Sequence, residues 1–228
     1  MTRAVSAPTP RRMLLPSLDD VQHFVIEDAT WQLYETLLRS VGNRPVRITY
    51  DNGRLEMMSP LTWHEEAKKI IARMIETLTL ELDIKVKSLG SATFRRKDKA
   101  KGLEPDECYY FKHEARMRGK RRWMPAKDPV PELVVEIDIT SRSIDRQPVY
   151  AALGIREIWR YDGRKIECIE LAAGAYHPRK TSRIFPFLIV SDLTRFIKML
   201  PSDDENTIIR VFRDWVRQNG WAKLKQEE

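Results

Sequence analysis

LVVEIDIT, residues 133–140, is the stretch on which the fold turns. Successive residues of a strand face opposite ways, so Leu133, Val135, Ile137 and Ile139 form one side and Val134, Glu136, Asp138 and Thr140 the other. Two carboxylates on one face of an otherwise apolar strand are costly unless they are solvated, paired or bound to a cation. A divalent metal is the simplest partner that lets both stay ionised. The competing reading is an edge strand with a wet outer face.

The flanking sequence supplies strands and helices in alternation. Residues 29–41 carry apolar side chains at Leu33, Tyr34, Leu37, Leu38 and Val41, which is helical spacing, and Gly42-Asn43 provides a stop. A hairpin follows, turning at Asp51-Asn52-Gly53. The next helix has Thr62 as cap, Glu65 three residues on, and one apolar stripe through Ala67, Ile70, Ile71, Met74, Ile75, Leu78 and Leu82. Strands are expected at 84–89, 106–111 and 133–140. A short helix from Pro148 to Gly154 and a hairpin turning at Asp162-Gly163 follow, and the chain ends in helices marked by Ile208, Val211, Phe212, Trp215 and Val216. The pattern is an α/β (α+β) domain whose mixed sheet is flanked by helices.

Length and composition bound the function classes. At 228 residues with 42% hydrophobic content, and no apolar run of about 18 residues, the chain reads as a globular protein without a membrane span. Cys108 and Cys168 lie outside any CxxC spacing, which excludes a disulfide framework and a zinc ribbon. The basic, Pro-rich residues 1–16 lack the apolar run of a signal peptide, and the cytoplasm is the expected compartment. His23, His64, His113 and His177 show no zinc spacing, and no GxSxG elbow or phosphate-cradling GxxxxGKS/T loop occurs.

Charge is concentrated. Residues 85–127 hold fourteen lysines and arginines against five acids, a net of +9 in a chain whose total is +7. Such density suits a polyanion, because each cation that neutralises a phosphate releases counterions. A solvated charged hairpin would carry the same run. Within it, Arg118, Lys120, Arg121, Arg122 and Trp123 form a candidate DNA-holding arm, Trp123 as a base-stacking platform. A second acidic source is Glu104-Pro105-Asp106-Glu107 at the start of a strand, and a third is the His64-Glu65-Glu66 helix start, where Glu65 also has the reading of a capping-box carboxylate. If the 106 strand neighbours the 133 strand, Asp106 reaches Glu136, and acids beside a basic segment suit a Mg²⁺ site for phosphodiester hydrolysis.

The succession MSP…HE, EPDECYYF and PELVVEIDITSRS…DR…VYAALGIREIWRYDG resembles the Uma-two family of bacterial restriction-endonuclease-like proteins, within the PD-(D/E)XK nuclease superfamily, from about Val46 to about Leu200. The resemblance implies a restriction-endonuclease-like core and metal-dependent cleavage of DNA with Mg²⁺ or Mn²⁺. It implies Asp106 and Glu136 as metal ligands, with Glu65 supporting them. The superfamily lysine two residues after the strand acid is Asp138 here. Relatives that place a lysine on the following helix have it at the position of Arg146. Arginine can hold a phosphate but cannot act as a general base, so water activation rests on the metal and on Asp138 or Glu136. The expected organisation is a tail over 1–16, a nuclease-like domain over 17–200 and a helical extension over 201–228. Two rival readings remain at this level: the same fold binding nucleic acid or a partner protein without turnover, and an assembly protein that forms a homodimer through Phe212 and Trp215.

Overall fold

A computed structural model describes residues 23–42, 44–59, 62–120, 122–139 and 144–219. In chain order the elements are β1 (His23–Ile26), α1 (Trp31–Val41), β2 (Arg47–Asp51), β3 (Arg54–Met58), α2 (Thr62–Glu81), β4 (Lys87–Ser88), β5 (Phe94–Arg96), β6 (Lys101–Leu103) and β7 (Glu107–Tyr110). There follow α3 (Glu114–Met117), β8 (Leu133–Ile137), α4 (Gln147–Leu153), β9 (Glu157–Tyr161), β10 (Ile166–Ala172), β11 (Ala175–Arg179), α5 (Thr194–Ile197) and α6 (Glu205–Asn219).

Local chemistry accounts for the boundaries. Thr30 caps α1, its hydroxyl accepting from Leu33 N at 3.1 Å. Asn52 and Gly53 both take positive φ and close the β2–β3 hairpin in two residues. The later hairpin differs from the expected two-residue turn. Asp162 Oδ1 accepts from Arg164 N and Lys165 N, so four residues, 162–165, link β9 to β10. Gly154 ends α4 at φ 88°, donating to the carbonyls of Tyr150 and Ala151.

The main sheet has the order β11-β10-β9-β8-β7-β4. All neighbours are antiparallel except β8 and β9, which run parallel across the α4 crossover. β8 is therefore interior, and the wet-edge reading of its acids falls. Its alternation sorts residues as expected. Leu133, Val135 and Ile137 join α2, α5 and α6 in the larger core, whereas Val134 packs with Val149, Tyr150 and Leu153 of α4. Ala67, Ile70, Ile71, Met74, Ile75 and Leu78 of α2 are all buried there. The helix assigned from sequence to an extension is part of this core, since Ile208, Phe212 and Val216 lie in it.

A second, wholly antiparallel sheet, β1-β3-β2-β6-β5, packs on α1 around Trp31, Tyr34, Ile48, Tyr50 and Leu55. Gly102 on β6 is required because Tyr34 fills the place a Cβ would take. No helix among the described residues is long and apolar enough to cross a membrane.

Candidate active site

The β7–β8 ladder puts the two acids on neighbouring strands. Its register pairs Glu107 with Val135 and Cys108 with Val134, so Asp106, one residue before β7, stands opposite Glu136. The Ile137 N–H donates to Asp106 Oδ2 at 2.8 Å, fixing a fully buried carboxylate against the next strand. Two cation-capable side chains flank it. Arg47 of β2 places Nε 3.9 Å from Oδ1, and His64 of α2 places Nε2 3.4 Å from Oδ2. The Arg47 Nε and both ring nitrogens of the buried His64 have no hydrogen-bond partner among the described residues.

Glu136, 5% exposed, faces the α4 side. Arg146, at the N-cap of α4, donates from Nη1 to Glu136 Oε2 at 2.7 Å and from Nη2 to the Glu104 carbonyl. One turn on, the Tyr150 hydroxyl donates to Glu136 Oε1, and the Arg146 guanidinium lies 5.5 Å over the Tyr150 ring. The carboxylate opens on a cavity of about 360 Å³ whose walls include Asp138, Ile144, Asp145, Arg160 and Ile169. Asp138 continues the line of β8, its N–H bonded to the Tyr161 carbonyl at 2.7 Å.

Several sequence expectations are corrected here. Glu65 does not join Asp106 and Glu136. It pairs with Lys68, lies 3.6 Å from His64 Nδ1 and lines a groove with Glu76 and Glu107, while it is His64 whose Nε2 meets Asp106. Burial pushes the Glu107 carboxyl up to about 7 in that groove, with Glu76, Asp106 and Glu65 adding to the rise against the pull of Lys68. Trp123 is buried, its Nε1 bonded to the Pro129 carbonyl and its ring 5.2 Å from Phe94, so it offers no face for a base. Arg118 is exposed but forked onto Glu114, and Lys120 is paired with Asp128. Arg122 is exposed, and Arg121 lies outside the described residues. Arg146, expected on a phosphate, sits on Glu136 instead. Cys108 and Cys168 are free and buried, and burial pushes the Cys108 thiol up to about 12, which removes it from nucleophilic chemistry.

Sequence reasoning missed His64, Arg47 and Tyr150. His64 falls three residues before Ala67 on the buried stripe, a legible signal, and Arg146 and Tyr150 have the i, i+4 spacing of one helix face. Arg47 comes from the second sheet, and nothing local marks it.

The geometry agrees with what comparison of the chain finds. The family model Uma2, described as "Putative restriction endonuclease", matches residues 31–198. The chain belongs to the Uma2 family. No curated protein matches it. The restriction-endonuclease-like fold of Uma2 proteins generally works with divalent metals, and the donor chemistry here fits one. Asp106 and Glu136 offer hard oxygens from adjacent strands. Mg²⁺ commonly takes one or two carboxylates and completes its shell with water and substrate phosphate. The match is to such an open shell, because no group of three or more His, Cys, Asp or Glu among the described residues could hold an ion alone.

Proposed function

We propose that the protein is a metal-dependent endonuclease that hydrolyses phosphodiester bonds in DNA. The observation that carries the reading is the opposition of Asp106 and Glu136 on neighbouring interior strands, beside a cavity that also holds Asp138 and Arg146. Asp106 and Glu136 would hold Mg²⁺ or Mn²⁺, which would supply Lewis-acid polarisation of the scissile phosphate and charge neutralisation at the leaving oxygen.

The chain's own groups do the rest. The Ile137 N–H keeps Asp106 in place, and Tyr150 orients Glu136. Asp138, on the cavity wall, is the carboxylate assigned to take a proton from the attacking water, since Arg146 cannot be a base. Arg122 and the outer face of Arg118 contribute to the grip on the DNA backbone, a weaker arm than the residue count implied. The two free cysteines suit a reducing, cytoplasmic setting.

The test is incubation of supercoiled plasmid and of a single-stranded oligonucleotide with Mg²⁺ or Mn²⁺. Nicked or shortened product is expected, absent in EDTA and lost in Glu136→Gln and Asp106→Asn. Unchanged cleavage in those variants removes the site from the reaction.

One observation favours a second reading, a DNA-binding protein without turnover. Glu136 is already neutralised by a buried arginine that cannot shed its proton. That reading requires salt-dependent DNA binding in EDTA and no product with either metal.

A further inference from the structure

The Glu136–Arg146 pair is unusual for a site meant to admit a cation. Both side chains are about 6% exposed and meet at 2.7 Å, while the second guanidinium arm is anchored on the Glu104 carbonyl and its plane lies near the Tyr150 ring. One side chain therefore bridges the acid-bearing strand and the segment that leads into Asp106. We propose that Arg146 is a resident counterion that competes with the divalent ion for Glu136, so that the metal enters only as the guanidinium withdraws. The inference rests on the proposed role of Asp106 and Glu136 as the metal-holding pair, though not on turnover.

The chemistry of arginine makes the competition strict. A lysine amine beside an arriving cation can lose its proton and stay as a neutral neighbour, because its pKa responds to its surroundings; a guanidinium keeps its charge. Like charges converging on one carboxylate repel, and the low-dielectric interior screens them poorly. Arg146 must therefore move.

It has somewhere to go. It sits at the N-cap of α4, its backbone held because its carbonyl accepts from Tyr150 N at 2.9 Å, so withdrawal is a movement of the side chain alone. The adjoining cavity of about 360 Å³ is lined by Arg146 itself and by Asp145. A DNA phosphate entering that cavity would offer the released fork a bidentate partner. Metal alone is thus expected to bind weakly, and metal with DNA more tightly, each assisting the other by the same factor.

The experiment is calorimetric titration of Mn²⁺ into the full chain without nucleic acid. Arg146→Gln leaves the buried Glu136 charge without its guanidinium and should bind Mn²⁺ about tenfold tighter than the parent or better. Arg146→Lys, which keeps a removable charge and serves if the glutamine variant does not fold, should show a smaller gain that grows as pH rises. Adding Glu136→Gln to either variant should abolish the gain. Equal or weaker Mn²⁺ binding in the Arg146 variants, or no binding by any form, overturns the competition. A chain that binds Mn²⁺ in the expected pattern but cleaves nothing leaves this inference standing and removes only the hydrolysis.

Discussion

Two glutamates lie buried on neighbouring strands of the main sheet, and their surroundings differ in kind. Glu157 on β9 is 1% exposed and accepts from three neutral donors: Trp159 Nε1 at 2.7 Å, Ser182 Oγ at 2.6 Å and Arg183 N at 2.7 Å. Ser182 Oγ in turn accepts from Ile184 N and Phe185 N, so the carboxylate fastens the 182–185 turn to the sheet. Glu136 on β8 is buried almost as deeply, but its partners are a cation and a phenol, it stands opposite a second acid, and it borders a cavity. Burial of a carboxylate therefore does not mark a reactive site. Glu157 is enclosed by donors that serve the fold, whereas Glu136 is held by a guanidinium and a phenol at the edge of a cavity.

The widest separation between the two should appear in cleavage. Glu136→Gln is expected to lower the rate by a factor on the order of 10³, the several kcal/mol that a metal's stabilisation of charge supplies. Glu157→Gln should leave the rate per folded molecule unchanged. Equal losses in both, measured on plasmid at matched folded fraction, would erase the distinction. Stability should rank them the other way. Glu157→Ala orphans the indole, hydroxyl and backbone donors and should cost about 3 kcal/mol, read from the urea midpoint. A smaller step tests how Glu136 is oriented: Tyr150→Phe should reduce kcat about tenfold at unchanged KM, as loss of an outer hydrogen bond to a ligand does. The mildest change is Arg122→Ala, which should leave stability alone and lower the slope of log affinity against log salt by about 0.9 if that side chain meets one phosphate.

How much of this contrast could be read from sequence follows from which contacts are local. The two faces of β8 and the apolar stripe of α2 obey the 2.0 and 3.6 periods, and both were legible. The pairing of Asp106 with Glu136 was legible as a conditional statement, because it needed only that two strands be neighbours. Trp123 misled because its sequence neighbours are basic, while its spatial neighbour, Phe94, comes from β5, 29 residues away. Glu65 misled because a helix start presents several acids, and only the turn taken by α2 decides that His64 meets Asp106. The last helix looked like an appendage because its contacts are to α2, far back in the chain, where Arg73 reaches Glu205 and Arg217 reaches Glu81. Phe212 is fully buried among them, so making it polar measures stability and not the association of two copies.

Asp106 and Glu107 are consecutive acids that emerge on opposite sides of one sheet, the first toward Glu136 and the second toward the groove of α2. Sliding β7 by a single residue along β8 would exchange their places and drive Cys108, Tyr109 and Tyr110 into the wrong layers. The spacing of the two candidate acids is thus guarded by side chains that belong to the core. A one-residue insertion or deletion between β6 and β7 would be punished as misfolding before it could be selected as altered chemistry.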